Sequence, residues 1–140
     1  MTDLDDQLAR DTAHRTLALD VGQSFLVQAP AGSGKTELLI QRYLALLGIV
    51  ERPERVLAMT FTRKAAAEMR ERIIDALRAA AAASPGSEQP GSTSDHAAKT
   101  RALAAAVLAR DRALGWQLAA HPARLAIYTI DAFCASIVRQ

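Results

Sequence analysis

The hydrophobic and polar positions along the chain predict short strands that alternate with helices. Apolar runs of strand character occupy residues 24–28, 56–61 and 125–130. Apolar residues recur at helical spacing after each run, and a long helical stretch, interrupted near Gly115, is predicted over residues 96–120. Such an alternation favours an α/β fold in which helices flank a parallel sheet of about three strands.

Composition refines this picture without deciding a function. The 140 residues suit one ordinary domain. Half of them are hydrophobic but only 4% are aromatic, so we expect an alanine-rich core of modest stability. The formal net charge of +2 is compatible with nucleic acid but does not by itself indicate it.

The remaining bulk features concern the compartment. Cys134 is the single cysteine, so no internal disulfide can form, and the acidic start lacks the order of a secretory signal. No apolar run approaches the ~18 residues of a membrane span. We therefore expect a cytoplasmic protein without a membrane partner. Residues 84–95, rich in serine, proline and glycine, are predicted to be a flexible linker within the domain.

The most informative segment is a glycine-rich turn between a predicted strand and a predicted helix. This glycine loop consists of Ala29, Pro30, Ala31, Gly32, Ser33, Gly34, Lys35 and Thr36. The strand–turn–helix context is that of a loop that holds a nucleoside triphosphate on backbone amides and on the positive end of the helix. Lys35 is expected to reach the β- and γ-phosphates, and the Thr36 hydroxyl to ligate Mg²⁺. The alternative is a chance glycine turn.

A second chemical signal follows the second predicted strand. Thr60, Phe61, Thr62, Arg63 and Lys64 place hydroxyls, cations and an aromatic face at the carboxyl end of a strand, where ligands bind in open parallel sheets. Hydroxyls and basic groups suit a phosphodiester backbone, and a base could stack on Phe61. The alternative is a buried Phe61 and an ordinary helix cap by Thr62.

A third segment, Tyr-Thr-Ile-Asp-Ala-Phe-Cys at residues 128–134, completes a family resemblance. Three segments of the chain resemble, in their order, those of superfamily I DNA helicases of the UvrD and RecB/AddA type. They are the glycine loop, residues 60–69 and residues 128–134. The family begins its loop with alanine, as this chain does at Ala29. The family commonly has histidine in the third segment, where this chain has Asp131.

The resemblance implies a partial RecA-like P-loop NTPase domain, with residues 1–140 as the incomplete first motor domain of a helicase. It implies ATP and Mg²⁺ as cofactors, single-stranded and duplex DNA as substrates, and a partner subunit of a helicase–nuclease complex. The activity implied is translocation on single-stranded DNA and duplex unwinding in recombination or repair. The residues that would lie along the DNA path are Thr60, Phe61, Thr62, Arg63, Lys64, Thr129, Asp131 and Phe133.

The same resemblance indicates what the 140 residues lack. ATP hydrolysis needs an acidic pair that holds Mg²⁺, and arginines that stabilise the transferred phosphoryl group. Both would lie beyond Gln140, so we expect this chain alone to be catalytically incomplete. The family's adenine-contacting glutamine has no assigned counterpart, since the expected distance reaches His14 and Gln7 lies farther away.

Two other functions stay open from the residues alone. A small P-loop kinase would use Asp131 as its Mg²⁺ carboxylate, although a helix-capping role is the simpler interpretation of Asp131. A non-catalytic nucleotide- or DNA-binding remnant would bind ATP through Lys35 without turnover.

Overall fold

The computed structural model describes residues 3–83 and 95–139. Within them the chain forms α1 (Asp3–Leu17), α2 (Lys35–Leu47), β1 (Leu57–Thr60), α3 (Arg63–Ala82), α4 (Asp95–Leu114), β2 (Ala126–Thr129) and α5 (Ile130–Val138). Short 3₁₀ turns at Pro53–Arg55 and Pro122–Arg124 precede the two strands. The predicted mixed α/β class is confirmed. None of the described helices is long and apolar enough to cross a membrane.

The two strands form a parallel sheet whose carboxyl ends are in register. Leu57 lies opposite Ala126, and Thr60 lies opposite Thr129. The helix α3, which follows β1 in the chain, packs against β2. The Arg70 guanidinium of α3 donates to the Ile127 carbonyl at 2.6 Å, which fixes the helix on the strand. Because the strands are parallel, the residues that follow them meet at one edge of the sheet.

The prediction of a strand at residues 24–28 is wrong, since the described sheet contains two strands only, β1 and β2. The segment is extended but exposed, and Leu26 keeps 94% of its surface accessible. Arg42 of α2 lies over the Phe25 ring at 5.3 Å and donates to the Gln23 carbonyl at 2.7 Å. The apolar run predicts strand propensity correctly, but a strand also needs a neighbouring backbone, and no described strand pairs with this one.

The core lies among α2, α3, α4 and β2. Its fully buried side chains are mainly large aliphatic ones, among them Ile40, Leu44, Leu47, Ile73, Leu77, Val107, Leu118, Leu125 and Ile127. The expected alanine-rich core is therefore wrong. The alanine tract at residues 79–83 is mostly exposed, since it lies at the end of α3 beyond its last buried residue, Leu77.

The predicted interruption near Gly115 is confirmed, because α4 ends at Leu114 and Gly115 has φ 67°, but the helix predicted to continue to residue 120 is wrong, since residues 116–120 form irregular structure and turns. This left-handed backbone conformation is one that glycine adopts without the steric cost of a Cβ. Of the predicted linker at residues 84–95, positions 84–94 lie outside the described residues, and Asp95 is the first residue of α4.

Candidate functional site

The glycine loop makes a tight turn directly into α2. Gly32 and Gly34 have φ of 79° and 83°, a region that a side chain would strain. The turn is closed by a hydrogen bond from the Ser33 amide to the Pro30 carbonyl at 3.3 Å. Gly34 occupies the N-cap position of α2 and offers no side chain to the first turn. The amino end of α2 therefore directs backbone N–H groups and the positive end of the helix dipole outward.

The side chains of the loop fit an anion that these N–H groups could bind. The Ser33 hydroxyl is buried and has no hydrogen-bond partner, so the site contains a polar atom that a ligand could satisfy. The Lys35 ammonium donates to the Ala29 carbonyl at 2.5 Å, which holds the ammonium group against the first residue of the loop. Thr36 is exposed in the first turn of α2. A cation, free amides and an exposed hydroxyl are the groups that bind a triphosphate with Mg²⁺.

Arg15 is a loop contact that sequence reasoning missed. Its guanidinium donates to the Ser33 carbonyl and, at 3.4 Å, to the Gly34 carbonyl, and it pairs with Asp11 at 2.7 Å. It thus connects α1 to the glycine loop. The contact spans 18 residues of sequence and involves main-chain acceptors, so no spacing or motif could have indicated it.

A cavity of about 330 Å³ lies between α1, the extended segment and the glycine loop. His14, Arg15, Phe25 and Lys35 contribute to its lining. His14 therefore faces the loop side of α1, whereas Gln7 is exposed and is not among the lining residues. The cavity borders the loop, but its lining does not decide which side chain would contact a base.

The second and third predicted segments meet at the carboxyl ends of β1 and β2. A cavity of about 470 Å³, here called the strand-end groove, lies between them. Four of the eight residues predicted to contact DNA line it, namely Phe61, Arg63, Thr129 and Asp131. The register that places Thr60 opposite Thr129 is what brings segments distant in the chain to one groove.

The residues after β1 divide into those that line the groove and those that hold the local backbone. Phe61 is 90% exposed, so the alternative of a buried Phe61 is wrong. The Thr62 hydroxyl accepts a hydrogen bond from the Ala65 amide at 3.1 Å, so the alternative of a helix cap is confirmed. The Thr60 hydroxyl donates to the Thr62 carbonyl at 3.0 Å, and Lys64 is exposed on α3 outside the groove lining.

The residues after β2 differ from the sequence interpretation at one point. The residue that caps α5 is Thr129, whose hydroxyl accepts from the Ala132 amide at 3.1 Å, so the capping role expected for Asp131 is wrong. Asp131 lies in the first turn of α5, where its carboxylate complements the helix dipole. Phe133 stacks on Tyr128, with ring centroids 6.4 Å apart.

Ser136 and Arg139 also line the groove, and sequence reasoning missed both. Positions 131, 135 and 139 recur every four residues, so they share one face of α5 and of its C-cap residue Arg139. For Arg139 the signal was present in the sequence, since a helix that begins near Asp131 extends this face along the groove. Within residues 3–83 and 95–139, no three His, Cys, Asp or Glu side chains are grouped so that they could hold a metal ion.

Comparison with known proteins adds a family to this geometry. Residues 10–140 match the family described as the UvrD/REP helicase N-terminal domain. The chain belongs to this family. The resemblance inferred from the three segments is therefore confirmed.

Several curated relatives are named as subunits of an ATP-dependent helicase/nuclease. The protein from Desulfitobacterium hafniense is 35% identical over 132 residues, which cover 92% of this chain and 8% of the relative. The protein from Levilactobacillus brevis is 51% identical over 65 residues, covering 46% of this chain and 5% of the relative. The chain thus spans less than a tenth of the length of these relatives. No solved structure gives a significant match.

Proposed function

We propose that the chain is the ATP-binding, amino-terminal part of a helicase motor and that its two sites bind ATP and single-stranded DNA. The observation that carries the proposal is the convergence of Phe61 and Arg63 with Thr129 and Asp131 in one groove beside the sheet. In parallel sheets such strand ends are where ligands bind. Relatives named as ATP-dependent helicase/nuclease subunits favour DNA as that ligand.

The glycine loop would hold the triphosphate. Backbone amides of the loop and of the first turn of α2 would bind the phosphates, the Lys35 ammonium would bind the β- and γ-phosphates, and the Thr36 hydroxyl would ligate Mg²⁺. The unpartnered Ser33 hydroxyl supports a ligand at this position. When bound, the Mg²⁺ ion would neutralise charge on the phosphate oxygens.

The strand-end groove would hold the DNA strand. The exposed face of Phe61 offers a stacking platform for a base, and the guanidinium groups of Arg63 and Arg139 offer charge for phosphates. The Thr129 and Ser136 side chains line the same groove and add hydroxyls. In the whole protein, these contacts would serve translocation on single-stranded DNA and duplex unwinding in recombination or repair, together with a partner subunit. Residues 1–140 would form part of its first motor domain.

The decisive experiment is the binding of a labelled oligo(dT) strand by the Phe61→Ala variant. Since the ring is almost fully exposed, its removal costs little packing, whereas a lost base stack costs ~1–3 kcal/mol, or roughly 5–150-fold in affinity. Leu57→Ala in β1, the strand that precedes Phe61, is the matched control, because Leu57 is also exposed but does not line the groove. Equal binding by the Phe61→Ala variant and the unaltered protein would contradict the proposed DNA site.

The nucleotide site has its own test. A fluorescent ATP analogue should bind with Mg²⁺, and Lys35→Ala should weaken this binding, because the variant removes the charge that faces the phosphates. Phosphoryl transfer to small acceptors without any effect of DNA would instead favour a small kinase. ATP binding without DNA binding would favour a nucleotide-binding remnant.

A further inference from the structure

A carboxylate lies directly after the glycine loop in the chain, and each of its two oxygens contacts a side chain of another helix. Glu37 is two residues after Lys35, in the first turn of α2. Its Oε2 lies 2.6 Å from the Arg72 guanidinium of α3, and its Oε1 accepts from the Thr100 hydroxyl of α4 at 2.5 Å. Both carboxylate oxygens are therefore bound by groups from other helices, and Glu37 cannot shift without moving them.

Gln41, one turn further along α2, extends this network. Its side chain is buried, with 3% of its surface accessible. Its amide donates to the Thr100 hydroxyl at 3.0 Å and to the His96 carbonyl at 3.1 Å. The network is buried at Gln41 and partly exposed at Glu37 and Arg72, and its hydrogen bonds join α2 to α3 and α4.

Glu68 lies four residues before Arg72 on α3, a spacing at which a carboxylate and a guanidinium can pair along one helix. In the structure the ion pair of Arg72 is with Glu37, 35 positions earlier in the chain. Among the ion pairs of the described residues, this is the one that joins two of the core helices. An ion pair between two residues of one helix would not join two helices.

The two helices that the ion pair joins begin at the two candidate sites. The helix α2 begins at Lys35 in the glycine loop, and α3 begins at Arg63 in the strand-end groove. From Arg63 to Arg72, α3 continues without interruption for roughly 13 Å along its axis. A displacement of either helix end therefore acts on the same carboxylate–guanidinium contact.

We propose that Glu37 and Arg72 are positioning residues that couple nucleotide binding in the glycine loop to DNA binding in the groove. The inference rests on the proposed function of both sites. Phosphates that bind the first turn of α2 displace that turn and with it Glu37. A DNA strand that contacts Arg63 displaces α3 and with it Arg72. Coupling of this kind is reciprocal, so DNA must change ATP affinity by the factor by which ATP changes DNA affinity.

The test measures this factor in the full-length protein. The affinity of an ATP analogue is determined with and without saturating oligo(dT), for the unaltered protein, Glu37→Gln, Arg72→Gln and the double variant. We expect a factor in the usual range of about 5–150-fold for the unaltered protein. In Glu37→Gln the factor should fall to within about twofold of unity, while ATP affinity without DNA stays within about twofold. The coupling factor of the double variant should be no lower than that of either single variant.

Two controls separate coupling from general stability. Arg72→Lys keeps the charge and should restore part of the factor that Arg72→Gln loses. Glu54→Gln breaks an ion pair of similar length, 2.7 Å, between Glu54 and Arg124, which joins the two 3₁₀ turns. It should leave the factor unchanged, and an equal loss there would mean that Glu37 acts only through stability.

The outcomes also distinguish this inference from the proposed function. If the unaltered protein binds neither ligand, the proposed function fails. If it binds both but shows no coupling, or if Glu37→Gln keeps the factor intact, the coupling role alone is overturned.

Discussion

The salt dependence of DNA binding should report the two arginines of the strand-end groove. Arg63 begins α3 and Arg139 follows α5, and both line the groove from opposite segments. Each guanidinium that neutralises a phosphate releases condensed counterions from the strand. Replacing both by alanine should therefore flatten the dependence of affinity on salt, besides weakening binding.

The magnitude follows from the number of charges in the groove. Each phosphate contact contributes about 0.7 to the slope of log affinity against log salt for single strands, so two contacts contribute about 1.4. Over a fourfold rise in salt, the unaltered protein should lose roughly sevenfold more affinity than the double variant. Asp131 lies in the same lining with the opposite charge. Asp131→Asn should raise affinity by up to about fivefold, since like charges ~4 Å apart repel by about 1 kcal/mol in water.

The assay is fluorescence anisotropy of a labelled oligo(dT) strand at several salt concentrations. Arg112→Ala is the control, because Arg112 is exposed on α4 and does not line the groove. It should leave the slope unchanged. An unchanged slope for the Arg63 and Arg139 double variant would refute the phosphate role of the groove, whatever happened to the affinity itself.

Three further predictions concern the scaffold. Gly34→Ala should destabilise the loop by ~1–2 kcal/mol and weaken nucleotide binding, because φ is 83°; the loss is measured by denaturant unfolding and ATP titration. Leu44→Ala should cost ~2–5 kcal/mol of unfolding free energy since Leu44 is 0% exposed, whereas Leu39→Ala on the same helix, 52% exposed, should cost less than ~0.5. A hydrogen bond from Arg124 lowers the pKa of Glu54 below its ordinary value of 4.5. The pair therefore stabilises the unaltered protein above pH 4.5, by at most ~1 kcal/mol at this exposure, and this advantage over Glu54→Gln should disappear in unfolding titrations as the pH falls below 4.5 and Glu54 is protonated.

The features that could be predicted from the sequence are those encoded by neighbouring residues. Apolar runs predicted β1 and β2 to within one residue at each end. The burial expected of an apolar parallel strand is found at Ala126 and Ile127 of β2, whereas β1 alternates between exposed and half-buried residues. Hydroxyls and cations directly after a strand predicted the groove, because the ends of parallel strands meet at one edge. Gly32 and Gly34 predicted the tight turn, since the required φ is positive.

The features that could not be predicted depend on partners distant in the chain. Residues 24–28 have the composition of a strand, yet whether they pair depends on a neighbouring backbone that the run does not specify. Arg15 binds carbonyl groups of the glycine loop, and every residue carries a carbonyl, so no side-chain pattern marks the acceptor. Arg72 had a nearer acidic neighbour on its own helix, and tertiary packing overrode this local choice.

Both candidate sites are bordered by a helix without buried residues, and this bears on how they would respond to ligands. The groove adjoins β2, whose residues Ala126 and Ile127 are buried, but half of its lining comes from α5, which has no buried residue. The glycine loop lies between α1, which has no buried residue, and an exposed extended segment, so polar contacts such as those of Arg15 hold it. Segments with few buried apolar contacts open at lower free energy than the core does. A triphosphate in the loop and a DNA strand in the groove would therefore each add contacts where the fold has few. The ion pair between Glu37 and Arg72 joins the first turn after the loop to the helix that begins at the groove. Ordering of the loop by a nucleotide would therefore reach the groove through this contact.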